Sequence, residues 1–311
     1  MKLLIFYLTD NRRHFTFPHY INLLKDSKYK NDWKFLVLTH TGDTQYYETV
    51  LHNTGIQFET LNVPADNNYM VKVHSAVAHA ERHNIPYMMK CDNDIFLHSN
   101  TLDTMIENLP MLEDGKHLTL GPILSSGIPS VEYFVNDFLP DDEKKTLENM
   151  YLKTSFYNRD GASYEHLNAY THGAKTWEPS LFFNAVKTMG HHYKGVHPIR
   201  FSYDANKYLN DCILHKKEAF FNQSASGIFA DNTSPYLCDS IFCIKRETYK
   251  TIINDGSLFV DPFDEVPLNK YAWANGMSHL FVKGGYAIHI TYNWNNDIIH
   301  YEREFCTQLF H

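Results

Sequence analysis

The sequence predicts an α/β fold, a sheet flanked by helices. Three observations carry this. Short apolar, β-leaning runs alternate with helical segments through the first 125 residues. A further strand, helix and strand pattern returns after residue 236. With 311 residues, 43% hydrophobic and 15% aromatic, the chain can bury a sizeable core without disulfides or a structural metal.

The elements follow in order. Lys2 to Thr9 reads as a buried strand, Lys34 to Thr39 as a second and Phe58 to Val63 as a third. Tyr20 to Lys28 between the first two suits a helix, and the order strand, helix, strand, helix, strand predicts parallel pairing. Met70 to His83 is helical, with Met70, Val73, Val77 and Ala80 at the three-and-four spacing of one buried face, and Asn84 and Pro86 stop it. Tyr87 to Met89 opens another buried strand that runs into Lys90-Cys91-Asp92-Asn93-Asp94. Asn100 or Thr101 caps a helix through Leu109, and Leu118 to Leu124 returns as a strand. Later, Cys238 to Lys245 is a strand, Arg246 to Asn254 a helix, and Pro267 to Asn275 a short helix stopped by Gly276. His279 to Val282 and Tyr286 to Tyr292 form a final pair of strands around Gly284-Gly285.

Composition narrows the function classes. Twenty-eight basic against 36 acidic residues leave a net charge of −8, which argues against duplex nucleic acid as a partner. The five cysteines are odd in number and contain no Cys-x-x-Cys pair, fitting buried free thiols in a reducing compartment. The apolar run of Met1 to Leu8 is too short for a signal peptide, and no stretch approaches the roughly 20 apolar residues of a membrane helix. The expectation is a cytoplasmic protein without a transmembrane segment, in which the sequons at Asn222 and Asn232 are chance matches.

The chemistry concentrates at Asp92-Asn93-Asp94. These acids follow a buried strand, and ligands of open α/β sheets bind outside such carboxyl ends. Two residues apart on an extended chain, Asp92 and Asp94 point to one side, while Asn93 points away or turns the chain. Hard oxygen ligands so placed suit Mg²⁺ or Mn²⁺ together with substrate phosphates. The alternative is a plain turn, since Asp and Asn are common turn formers. Close apolar flanks favour the cation, because like charges repel unless one sits between them.

Lys90-Cys91-Asp92-Asn93-Asp94-Ile95-Phe96 resembles the DxD region of GT-A glycosyltransferases, which often reads Lys-x-Asp-x-Asp followed by two apolar residues. The likeness includes a strand at the chain start and a helix before the DxD strand. It covers residues 1–125 and extends to 236–295. It implies a GT-A-like, Rossmann-related mixed sheet flanked by helices, in one catalytic domain with a nucleotide-sugar half (1–125), an insertion (126–235) and a C-terminal half (236–311). It further implies that Asp94 ligates Mn²⁺ or Mg²⁺, and that Asp92 meets the metal or the ribose. Thr9 and Asp10 would lie near the base and ribose, with Asn93 beside them and Lys72 on the helix facing the nucleotide. The partners implied are a nucleoside-diphosphate sugar, a UDP-sugar by preference, and a carbohydrate acceptor.

Two later segments complete this reading. His289, in the β-like run Tyr286 to Tyr292, is either a core histidine or the C-terminal histidine that such enzymes return to the metal; His300 is a weaker substitute. Asp261, Asp264 and Glu265 precede the helix at Pro267. Capping explains one acid but does not need three. In inverting enzymes of the resembled family an acid here deprotonates the acceptor hydroxyl, which makes Asp264 and Glu265 the catalytic candidates, with inversion favoured over retention.

The remaining motifs carry less. His79 and His83 share a helix face, but Ala80 stands where the zincin motif needs Glu, so a polar helix face is expected. No Gly-rich phosphate loop follows the first strand. Residues 126–235 are rich in aromatics, among them Tyr133, Tyr151, Tyr164, Trp177 and Phe183. They read as an acceptor-binding lobe or as a satellite core under long loops; His191, His192 and His197 are candidate acceptor contacts. The rival functions are a nucleotidyltransferase with the same strand-end acids, or a non-catalytic carbohydrate-binding protein with a degenerate site.

Overall fold

The computed structural model describes residues 1–9, 16–39, 44–63, 69–97, 99–124, 138–151, 203–222, 228–230, 237, 240–259, 263–289 and 304–308. The aromatic lobe lies almost wholly outside them, as do Asp10, Asp261, His300, Cys238 and His191, His192 and His197.

The first half alternates as expected: β1 (Leu3–Leu8), α1 (Phe17–Asp26), β2 (Trp33–Thr39), α2 (Thr44–Leu51), β3 (Phe58–Asn62), α3 (Tyr69–Arg82) and β4 (Tyr87–Asp92). Next come β5 (Ile95–Leu97), α4 (Ser99–Asn108) and β6 (His117–Leu124). The later elements are α5 (Asp141–Tyr151), α6 (Tyr203–His215), α7 (Lys217–Asn222), β7 (Ile228–Ala230), β8 (Ile241–Lys245), α8 (Arg246–Asn254), α9 (Glu265–Ala274) and β9 (Ser278–His289). The strands form one sheet in the order β3-β2-β1-β4-β8-β6-β9-β5, with β7 also on β9. Pairing is parallel among β1, β2, β3 and β4, as crossover helices require, and antiparallel from β4 to β8 and from β8 to β6. The expected class, a mixed sheet flanked by helices, is what forms.

Helices cover both faces, which explains why β1 is apolar at every position. Leu4, Phe6 and Leu8 face a core built with Val73, Ala76 and Val77 of α3 and Tyr249 and Ile252 of α8. Leu3, Ile5 and Tyr7 face the other core, with Phe17 and Tyr20 of α1, Tyr47 of α2 and Met105 of α4. Each such side chain contributes about 1.5–3 kcal/mol when fully buried. Four cysteines, Cys91, Cys212, Cys243 and Cys306, are free and buried, in line with the expectation of free thiols. Among the described residues no helix is long and apolar enough to cross a membrane.

The glycine pair corrects the reading of the C-terminal strands. Gly284-Gly285 is not a turn between two strands; Ser278–His289 is one strand with a bulge inside it. Against β6, Val282 is opposite Pro122 but Tyr286 is opposite Ile123, so three residues of β9 are looped out. Gly284 has φ of +71°, a left-handed conformation that glycine adopts without a Cβ penalty. At Gly285 a Cβ would come within 2.9 Å of the Val282 side chain. Alternating apolar residues on both sides of a Gly-Gly look like a hairpin in sequence; the parallel β6 beneath holds both halves in line instead.

Candidate active site

The site lies at the carboxyl ends of β1 and β4. Strand β4 ends at Asp92, the chain turns at Asn93-Asp94, and β5 leaves in a new direction. The two acids therefore sit at the corner of a turn rather than on one extended strand. Residues from and just before α1 pin this corner. The Thr16 hydroxyl donates to the Asn93 carbonyl and meets the Tyr7 hydroxyl at 2.8 Å, and the Tyr20 hydroxyl lies 3.5 Å from the Asp92 carbonyl. Burial pushes both the Tyr7 and Tyr20 phenols well above their ordinary pKa, so they stay protonated. The Asp92 backbone N–H donates to the Ser240 carbonyl at 2.9 Å, tying the corner to the start of β8.

Strand register brings the far end of the chain here. In the antiparallel β5–β9 pair Ile95 is opposite His289, which sets the histidine beside Asp94. His289 Nε2 lies 3.3 Å from Asp94 Oδ2, and Nδ1 lies 3.5 Å from Ser240 Oγ. Two of the three expected ligands thus converge from positions 195 residues apart. The donor set, one carboxylate oxygen and one imidazole nitrogen at a spacing suited to neighbours on one ion, fits Mn²⁺ with further positions left for phosphate and water. Asp92 Oδ1 is buried and lies 3.6 Å from the Lys90 ammonium.

Lys90 opens the DxD-like segment, but the sequence assigns it no role. Its side chain is wholly buried, 3.6 Å from Asp92 and 3.5 Å from Asp264, with its ammonium 4.8 Å from the Tyr69 ring centre. It neutralises two acids that the sheet brings under one roof. Asp264 is itself fully buried. It precedes α9 but makes no side-chain cap bond; instead it accepts from Tyr69, at 2.7 Å, and from Tyr249. Its neighbour Glu265 opens α9 and is 7% exposed. Phe263, half exposed, packs on Tyr69 with ring centres 5.3 Å apart.

Lys72 and Thr9 are also brought together. Lys72 is 1% exposed, and its ammonium donates to the Thr9 carbonyl at the end of β1. The i, i+4 histidines correct another expectation. His83 is exposed, as a polar helix face requires, but His79 is buried. The cue was available: Lys72 at i−7 and Ala76 at i−3 share its side of the helix, and His79 sits at the margin of the buried face.

No protein-family model matches the sequence, and no curated protein matches it. The structure of GalNAc-T7 with UDP, GalNAc and Mn²⁺ is similar over 93% of this chain and 43% of that one, at a TM-score of 0.48 and 9% sequence identity. The chain therefore spans less than half the length of that protein.

Proposed function

We propose that the chain is a metal-dependent glycosyltransferase that moves a sugar from a nucleoside-diphosphate sugar to a hydroxyl of a carbohydrate acceptor, with inversion. The observation that carries this reading is the approach of His289 Nε2 to Asp94 Oδ2, 3.3 Å, at the carboxyl ends of the parallel strands β1 and β4. Asp94 and His289 would hold Mn²⁺ or Mg²⁺, which when bound would supply charge stabilisation for a diphosphate leaving group. Asp92 and Asn93 border the ribose and phosphates. Thr9, with Asp10 after it, meets the base and ribose, and Lys72 acts through its hold on the Thr9 carbonyl.

The acid pair divides its labour. Asp264 holds Lys90 and two tyrosine hydroxyls and is a positioning residue, while Glu265 is the general base. The acceptor oxygen forms a bond to the sugar C1 as the bond from C1 to the diphosphate oxygen breaks. The bonding pair leaves with the diphosphate, and the hydroxyl proton passes to the Glu265 carboxylate. A UDP-sugar is the first donor to try.

The test is a thermal-shift series with UDP, GDP, CMP and dTDP, each with and without Mn²⁺, on wild type and Asp94→Ala. A ligand of the folded state stabilises it by about 2.7 kcal/mol at a hundredfold excess over Kd. One nucleotide should raise the midpoint of wild type only with metal and leave Asp94→Ala unmoved. A flat response to all four from folded protein sinks the reading.

A further inference from the structure

Away from this site, a second group of metal-ligating side chains gathers at the far end of α3. Glu59, His79 and His83 each offer a ligand atom, and these atoms all lie within 4.8 Å of one another. Glu59 comes from β3, at the edge of the sheet. The geometry is held by local structure. The His83 N–H donates to the His79 carbonyl at 3.2 Å, so the two histidines keep helical spacing although the helix proper ends at Arg82. Asn84, with φ of +50°, then closes the helix: Asn84 N–H reaches the Glu81 carbonyl and Ile85 N–H the Ala80 carbonyl. This is a Schellman stop, and it fixes His83 as the last residue of the turn. The imidazole rings are tilted by 39° with centres 4.5 Å apart.

The carboxylate is oriented as a ligand usually is. Lys34 pairs with Glu59 Oε1, which leaves Oε2 toward His79 Nδ1 at 3.7 Å, too long for a hydrogen bond. His79 is 5% exposed, and its Nε2 is buried with no hydrogen-bond partner. The nitrogen that faces Glu59 is Nδ1, so Nδ1 is the ligand atom, and Nε2 lies on the other side of the ring. The helix C-terminus adds a partial negative charge.

We propose that Glu59, His79 and His83 form a second transition-metal site, of zinc type, independent of the nucleotide site. Two imidazoles and a carboxylate are a zinc ligand set, with the fourth position open to water. Neighbouring ligand atoms on tetrahedral zinc stand about 3.3 Å apart, so the group must contract. His79 is the fixed ligand; the exposed Glu59 and His83 swing in. Bound zinc ties the edge strand β3 to α3. Seven residues of helix separate His79 from Lys72, about 10 Å, so the two sites load separately.

The test uses the full chain, stripped with a chelator and titrated with Zn²⁺ against a chromophoric indicator, in wild type and in Asp94→Ala/His289→Ala. The site should take one Zn²⁺ per chain in both. H83A and E59Q, both at exposed positions, should each weaken that binding about tenfold or more and abolish the zinc-dependent rise in melting temperature, with at most a small shift of the metal-free midpoint in E59Q from the lost Lys34 pair. H83A should keep the Mn²⁺–nucleotide response of wild type, which separates this site from the other. Zinc affinity unaltered in both H83A and E59Q overturns the proposal, as does an absence of zinc binding in Asp94→Ala/His289→Ala.

Discussion

The two ends of α3 handle the same problem differently. At its N-terminal end, toward the carboxyl edge of the sheet, polar side chains enter the interior and find partners from other elements. Lys72 reaches the Thr9 carbonyl, and Tyr69 gives its hydroxyl to Asp264 while its ring lies beside the Lys90 ammonium. At the other end His79 is just as deeply placed, yet its Nε2 has no protein partner. A satisfied network makes a rigid floor that holds carboxylates in fixed positions for a substrate. On the other side of the His79 ring, Nδ1 and the Glu59 carboxylate stand 3.7 Å apart, short of contact, with the exposed His83 beside them. One helix thus carries a pre-assembled site and a site that a metal completes.

The sharpest way to break this comparison is to separate the adjacent acids at the head of α9. If Glu265 is the base and Asp264 the support, Glu265→Gln should lower transfer about 10²- to 10⁴-fold with little loss of stability. Asp264→Asn should instead unfold at lower denaturant, because it weakens a buried ion pair. Transfer rates and urea midpoints on the same two variants check this; the reverse pattern reassigns the pair. Next comes Lys90→Met, which strands buried carboxylates and should cost about 3–5 kcal/mol in chemical denaturation at neutral pH. Adding Asp264→Asn to Lys90→Met should recover part of that loss.

A smaller effect tests the bulge that aims His289. Gly285→Ala puts a methyl against Val282 and Thr101 and should cost about 1–3 kcal/mol, measured by denaturant melting. The least effect belongs to the histidine end. Burial lowers the pKa of His74, and of His79 against the pull of Glu59, while Lys34, His83 and Arg82 lower His79 further. The unfolded chain then takes up these protons first. Stability from the two groups is fully present above pH 6.5, the ordinary imidazole value, and is lost as pH falls below it. Melting temperature against pH in the presence of a chelator should show this decline, weakened in His74→Gln.

Much of the frame was legible in the sequence because it rests on local periodicity. Arg246–Asn254 falls on the residues that its pattern indicates, and α3 ends where Asn84 adopts the left-handed turn. Asp92 and Asp94 stand out because two acids interrupt a buried run. What stayed hidden depends on register between distant strands. Lys90 opens the recognised motif, but its burial between two acids shows only once β4, α3 and α9 are assembled around it. Asp264 stands out in sequence as one acid of a cluster, a catalytic candidate or a cap, but its inward turn to two tyrosines has no local signal. The Ser240 contact with His289 has no signal in sequence at all. Glu59 stands 20 residues before His79, and only the packing of α3 on the sheet edge joins them.

The central cysteines give the molecule a built-in stopwatch. Cys91 on β4 and Cys243 on the adjoining β8 are wholly inaccessible, and burial raises both thiols well above their ordinary pKa. The thiolate that alkylating reagents attack is therefore absent while the sheet is closed. Modification at these two positions requires strands β4 and β8 to part. Labelling at saturating reagent, where it outpaces reclosing, thus times openings beneath the Asp92 corner, from the unaltered chain and without an introduced probe.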